Sequence, residues 1–203
     1  MEFSRERIVG AVRGLTPPRR VALCASCSER LIPFFEEYWA GRSGGPSFFR
    51  LALNTTWEYL EGAPFDDTQV AELRRQAEDN VPDEDDVAEQ IYAQDAAIAV
   101  THTLETWLTG AEESVARCFE QCYNVVDNYA LNQMVPSGGV ISEWTESQAP
   151  QHPAVQAELA RQQRDLESCR RTTEADWVAT VTQLRTEAVA ARIIPEARPE
   201  MEE

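Results

Sequence analysis

Apolar residues recur at three- and four-residue spacing along nearly the whole chain, and no convincing stretch alternates with period two. That rhythm places an apolar stripe on each of a series of α-helices and leaves no strand to build a sheet, so the chain reads as all-α. Each stripe stays exposed until another helix covers it. Such segments, joined by mostly short connections, pack as an antiparallel bundle, here of about seven helices.

The pattern predicts a first helix near residues 4 to 14, ending at Gly14, and a second from Pro17 and Pro18 to about Trp39. Pro33 removes a backbone donor inside the second helix, so a kink or break is expected after Arg30. GRSGGP (residues 41–46) is a connector. Residues 47 to 60 form a third helix with Phe49, Leu53, Trp57 and Leu60 on one stripe. Asp66 or Asp67 caps a fourth helix running to Asp79, and a fifth runs from about Asp85 to Leu108, before Gly110. Residues 112 to 134 form a sixth helix, with Val115, Phe119, Tyr123, Val126 and Ala130 inward. After a long loop, Pro153 opens a helix reaching Ile194, with Leu159, Leu166, Ala175, Val178, Val181 and Leu184 as contacts. Residues 1–150 thus read as the bundle domain. Residues 151–194 read as one long helix packed on it or projecting from it, and 195–203 as a frayed tail.

The length suffices to bury a core without disulfides. Cys24, Cys27, Cys118, Cys122 and Cys169 are odd in number and spread over helices, so reduced thiols are expected. The first residues, MEFSRERIVG, carry charges where a signal peptide needs an unbroken apolar stretch, and no run of about 18 apolar residues occurs. The expectation is a cytoplasmic protein. The chain carries 18 arginines, no lysine and 35 acids, a formal charge of −17. That balance repels nucleic acid and anionic membranes and attracts basic partners.

No catalytic or cofactor motif emerges. Cys24-x-x-Cys27 has the spacing of a redox pair or half a zinc site, and Cys118-x-x-x-Cys122 could offer the second half, but both fall in the apolar rhythm of helices, where cysteine serves as a small hydrophobe. His102 and Glu105 lie one turn apart in the reverse of the Glu-x-x-His order that metal-carboxylate bundles use, and His152 stands alone before Pro153. No metal ligand set, cofactor or catalytic residue is therefore expected. Glu29, Arg30, Glu58 and Asp95 read as a polar cluster inside the bundle, a buried ion pair fixing helix register. Six acids in nine residues, Glu78, Asp79, Asp83, Glu84, Asp85 and Asp86, exceed what helix capping needs and lack the ligand order of a calcium loop. They read as a solvated face able to dock a basic partner.

RVALCASCSERLIPFFEEYW (residues 20–39), FFRLALNTTWEYL (48–60) and the Pro82 acidic segment leading to Tyr92, Asp95 and Ala96 resemble the bacterial domain of unknown function 416 family, over about residues 15 to 135. The resemblance implies an all-helical fold with no established activity. The second-helix pattern also resembles helical immunity proteins of bacterial toxin systems. It implies a non-catalytic protein that neutralises a basic toxin, such as a nuclease. The alternatives are a small-ligand protein or enzyme with a site between helices, and a homo-oligomeric scaffold or homodimer built on the last helix.

Overall fold

In the computed structural model, residues 2–40, 47–64, 66–83, 92–135, 139–191 and 193 are described. They form α1 (Arg5–Val12), α2 (Pro17–Ala40), α3 (Phe48–Leu60), α4 (Asp67–Asp79), α5 (Tyr92–Thr109), α6 (Glu112–Met134), α7 (Glu143–Gln148), a 3-10 turn (Ala149–Gln151), α8 (Pro153–Arg171) and α9 (Trp177–Ala190). No strand occurs among the described residues.

Side-chain caps set several of the starts. Ser4, Ser47 and Ser142 accept from the backbone N–H three residues on, and Asp66 with Gln69 closes a reciprocal capping box on α4. Gly110, at φ +63°, turns the chain from α5 into α6, and its carbonyl accepts from the Arg20 guanidinium.

The architecture is centred on α2. Every residue from Val21 to Ile32 is buried, so the helix is covered on all sides through its middle. Helices α3, α5, α6, α8 and α9 all lie against it, α1 packs on α6, and α4 on α5. The bundle therefore surrounds a central helix instead of alternating evenly. Trp57, Phe35, Phe49 and Phe119 are the largest fully enclosed side chains.

Three expectations change. Helix α2 runs unbroken through Pro33, which is exposed and whose missing N–H costs the helix only the one bond to the Glu29 carbonyl. The long C-terminal helix is two helices. Thr172 ends α8 in extended backbone, Thr173 Oγ1 donates to Asp176 Oδ2 at 2.7 Å and accepts the Asp176 N–H, and α9 begins beyond. Ala175 lies exposed in that turn and Val178 is 51% exposed, so neither is a core contact. Finally, the loop after α6 contains α7 and the 3-10 turn. The described part of α5 begins at Tyr92; the expected start at Asp85 and the tail 195–203 lie outside the described residues.

Candidate functional site

Glu29 and Arg30 are neighbours on α2, and successive helical positions point about 100° apart, so the two charges serve different helices. Arg30 turns to α8: Nη2 donates to Glu158 Oε1 at 2.9 Å, and Nη1 donates to Asp165 Oδ2 at 2.8 Å and Ser26 Oγ at 2.9 Å. Ser26 Oγ also donates to Asp165, and Gln162 Nε2 donates to Glu158 Oε1 and the Phe119 carbonyl. Arg161 Nη1 lies 3.6 Å from the other Glu158 oxygen, which accepts no hydrogen bond. Burial works against the Arg30 charge, but the carboxylates of Glu158 and Asp165 more than offset it, so the guanidinium stays protonated.

Glu29 faces α3. Its Oε1 accepts from Arg50 Nη1 at 2.6 Å and its Oε2 from Trp57 Nε1 at 2.8 Å. Arg50 also grips Glu36 through Nε and Nη2, and Arg185 stacks over Trp57 at 5.9 Å. The expected four-residue cluster is thus divided. Glu58 is exposed, and Trp57 beside it makes the interior contact. Asp95 sits half-buried on α5, where burial raises its carboxyl to about 6. Sequence reading missed Glu158, Gln162 and Asp165, which share a face of α8 at four- and three-residue steps within a polar stretch.

Four thiols line the contact of α2 with α6. Cys118 Sγ meets the carbonyls of Cys24 at 3.5 Å and Ala99 at 3.6 Å, and Cys122 Sγ meets that of Cys27 at 3.5 Å. All five cysteines are free and buried. Burial holds the Cys27, Cys118 and Cys122 thiols well above their ordinary range and pushes Cys169 to about 12, so they stay protonated and unreactive at neutral pH. Among the described residues no three His, Cys, Asp or Glu side chains are placed to hold a metal ion. His102 Nδ1 lies 3.2 Å from Glu105 Oε2, with burial lowering the imidazole pKa.

Two adjoining grooves share Arg30, Ala188 and Ala191. One, of about 420 Å³, runs between α2 and the end of α9 past Pro33, Phe34 and Ile193; the other, of about 330 Å³, is lined by Arg161, Arg164 and Glu187. The buried charges on their floor, Glu29, Arg30 and Asp165, are already committed to protein partners.

The acidic face is the remaining feature. Glu78 and Asp79 are exposed at the end of α4, and each has an ion pair one turn back, with Arg74 at 2.5 Å and Arg75 at 2.6 Å. Asp83 is exposed as well, whereas Glu84, Asp85 and Asp86 lie outside the described residues. A broader asymmetry surrounds them. Residues 76–160 contain one arginine, Arg117, against 16 acids, a net −15; the rest of the chain carries 17 arginines against 19 acids, a net −2. The signal is legible in the sequence once charge is counted by segment instead of by cluster.

These features define a helical protein with paired charges inside and acids concentrated on one half of the chain. The chain belongs to the family described as protein of unknown function (DUF416), whose model matches residues 7–193, beyond the 15–135 expected from its motifs. A solved DUF416 family protein from Shewanella baltica OS155 superposes with a TM-score of 0.71 at 20% identity, covering 90% of this chain and 93% of that one. The likeness shows the fold. No curated protein matches the chain. Among the described residues no helix is long and apolar enough to cross a membrane.

Proposed function

We propose that this protein is a non-catalytic binder of a basic protein, and that its partner is a bacterial toxin, such as a nuclease, that it neutralises as an immunity protein in the cytoplasm. The observation that carries the reading is the excess of acids in residues 76–160, among which Glu78, Asp79, Asp83, Glu143 and Glu146 are exposed. Charge of one sign gathered on one part of a surface steers an oppositely charged partner and repels like-charged ones. The interior supports a binding role over catalysis: Arg30 and Glu29 are held by fixed partners, and burial keeps the Cys27, Cys118, Cys122 and Cys169 thiols protonated.

Affinity capture with the tagged protein from a lysate of its own host tests this, run beside a variant with Glu78, Asp79, Asp83, Glu84, Asp85 and Asp86 changed to amides. The expected result is one stoichiometric basic protein held by the wild type at low salt and reduced in the variant. Capture of nothing basic, or equal capture by both, would contradict it. The second reading, a small-ligand site, is carried by the groove of about 420 Å³ between α2 and α9, a size within the range of ligand pockets.

A further inference from the structure

Exposed charge sets the rate of encounter more than the lifetime of a complex, so an acidic surface that holds a partner needs an apolar anchor as well. Six large apolar side chains are exposed among the described residues: Leu51, Val140, Ile141, Trp144, Val178 and Val189. Leu51, Val178 and Val189 are aliphatic residues well separated in sequence, of the kind any surface carries. The other three fall within five residues at the start of α7, where Val140 is 88%, Ile141 45% and Trp144 69% exposed. A tryptophan standing this far out of the fold withholds the side chain that most often dominates interfaces.

The surroundings say what covers it. Helix α7 lies against α6, and beyond it the Tyr129 ring of α6 meets His152 edge-on at 6.0 Å. The Tyr92 hydroxyl of α5 meets the Asn132 side chain in the last turns of α6, and Gln94 Nε2 donates to the Pro82 carbonyl at 3.0 Å. The start of α5, the end of α6, exposed Asp83 and α7 therefore share one end of the molecule. Exposed Glu143 and Glu146 flank Trp144, and no arginine or lysine occurs from Cys118 to Ala160. A second copy of the chain would bring the same negative field onto itself.

We infer that Val140, Ile141 and Trp144 are the apolar anchor for a basic protein that presents an apolar cleft within an arginine- or lysine-rich rim, a reading that rests on the acidic binding surface proposed above. Two helical peptides of about 20 residues and equal positive charge separate the two ideas. One carries arginines with a leucine ridge; the other has serine in place of each leucine. Both are titrated, by anisotropy of a dye on the peptide, against the full-length protein and its Trp144→Ala variant. The expected result is about tenfold tighter binding of the leucine peptide to wild type, lost in Trp144→Ala while the serine peptide binds both proteins alike. Equal affinity for the two peptides, or a leucine preference that survives Trp144→Ala, overturns the anchor and leaves the acidic surface standing. Failure of both peptides to bind at low salt overturns the acidic surface and the anchor with it. A wild-type dimer in sedimentation that Trp144→Ala dissolves would make the occupant a second copy and overturn the basic partner.

Discussion

Arg30 neutralises two acids at once, Glu158 and Asp165, both buried on α8. Removing it strands two carboxylates, so Arg30→Ala is expected to cost about 3–5 kcal/mol in denaturant unfolding at neutral pH. Changing Arg30 to Met, Glu158 to Gln and Asp165 to Asn together removes the mismatch and should recover most of that loss. Asp95 works in the opposite sense. Its carboxyl rises from 3.8 to about 6 through burial, so the folded chain holds that proton more tightly than the unfolded chain. Stability from this group is present below the unfolded value and is lost as pH rises toward 6, with the full penalty above. Asp95→Asn is therefore expected to stabilise by about 1–2 kcal/mol at pH 7 and to be neutral near pH 4. Unfolding curves at the two pH values check both the sign and the window. Sequence reading grouped Arg30 with Glu29, Glu58 and Asp95, because the sequence does not show which helices face one another. The true partners lie 128 and 135 residues away on α8.

At the scale of elements, the helices were legible because period and caps agree, from the Ser47 cap of α3 to the capping box of α4. Two features were not. Pro33 suggested a kink or break, but tertiary packing around α2 keeps the helix continuous through a position where only one backbone bond is missing. Pro33→Ala restores the N–H donor to the Glu29 carbonyl and should stabilise by about 1 kcal/mol or more in thermal melts. The turn at Thr172 to Asp176 was hidden because local side-chain hydrogen bonds, not glycine or proline, end α8 there. Likewise, the polar stretch of α8 suggested a solvent-exposed arm, whereas Glu158, Gln162, Asp165 and Cys169 are all buried. Polarity predicts exposure only when no charged partner waits inside, and Arg30 waits there. At Gly110 the backbone sits at φ +63° with room for a methyl group, since the nearest atom to an added Cβ is 3.8 Å away. Gly110→Ala should thus cost about 1 kcal/mol through backbone strain alone, without disturbing the α5–α6 packing.

For the whole molecule, the defining property is separation of charge between two parts of the chain, −15 on residues 76–160 and −2 on the remainder. The run of acids from Glu78 to Asp86 falls within that segment, but Glu78 and Asp79 are partly offset by Arg74 and Arg75, and the absence of arginine on either side of Arg117 contributes more. The interior site was less legible than the surface, since helix pairing decides which charges meet. Surface charges contribute little to stability one by one, so changing Asp83, Glu84, Asp85 and Asp86 to amides should leave the melting temperature nearly unchanged. The measurement that bears most directly on the acidic surface is the association rate of the captured basic partner, for wild type and this amide variant, from about 50 to about 500 mM salt. The account predicts a wild-type rate that falls steeply with salt and a variant that is slower and flatter, the two converging at high salt. Equal rates with the same salt dependence would contradict it.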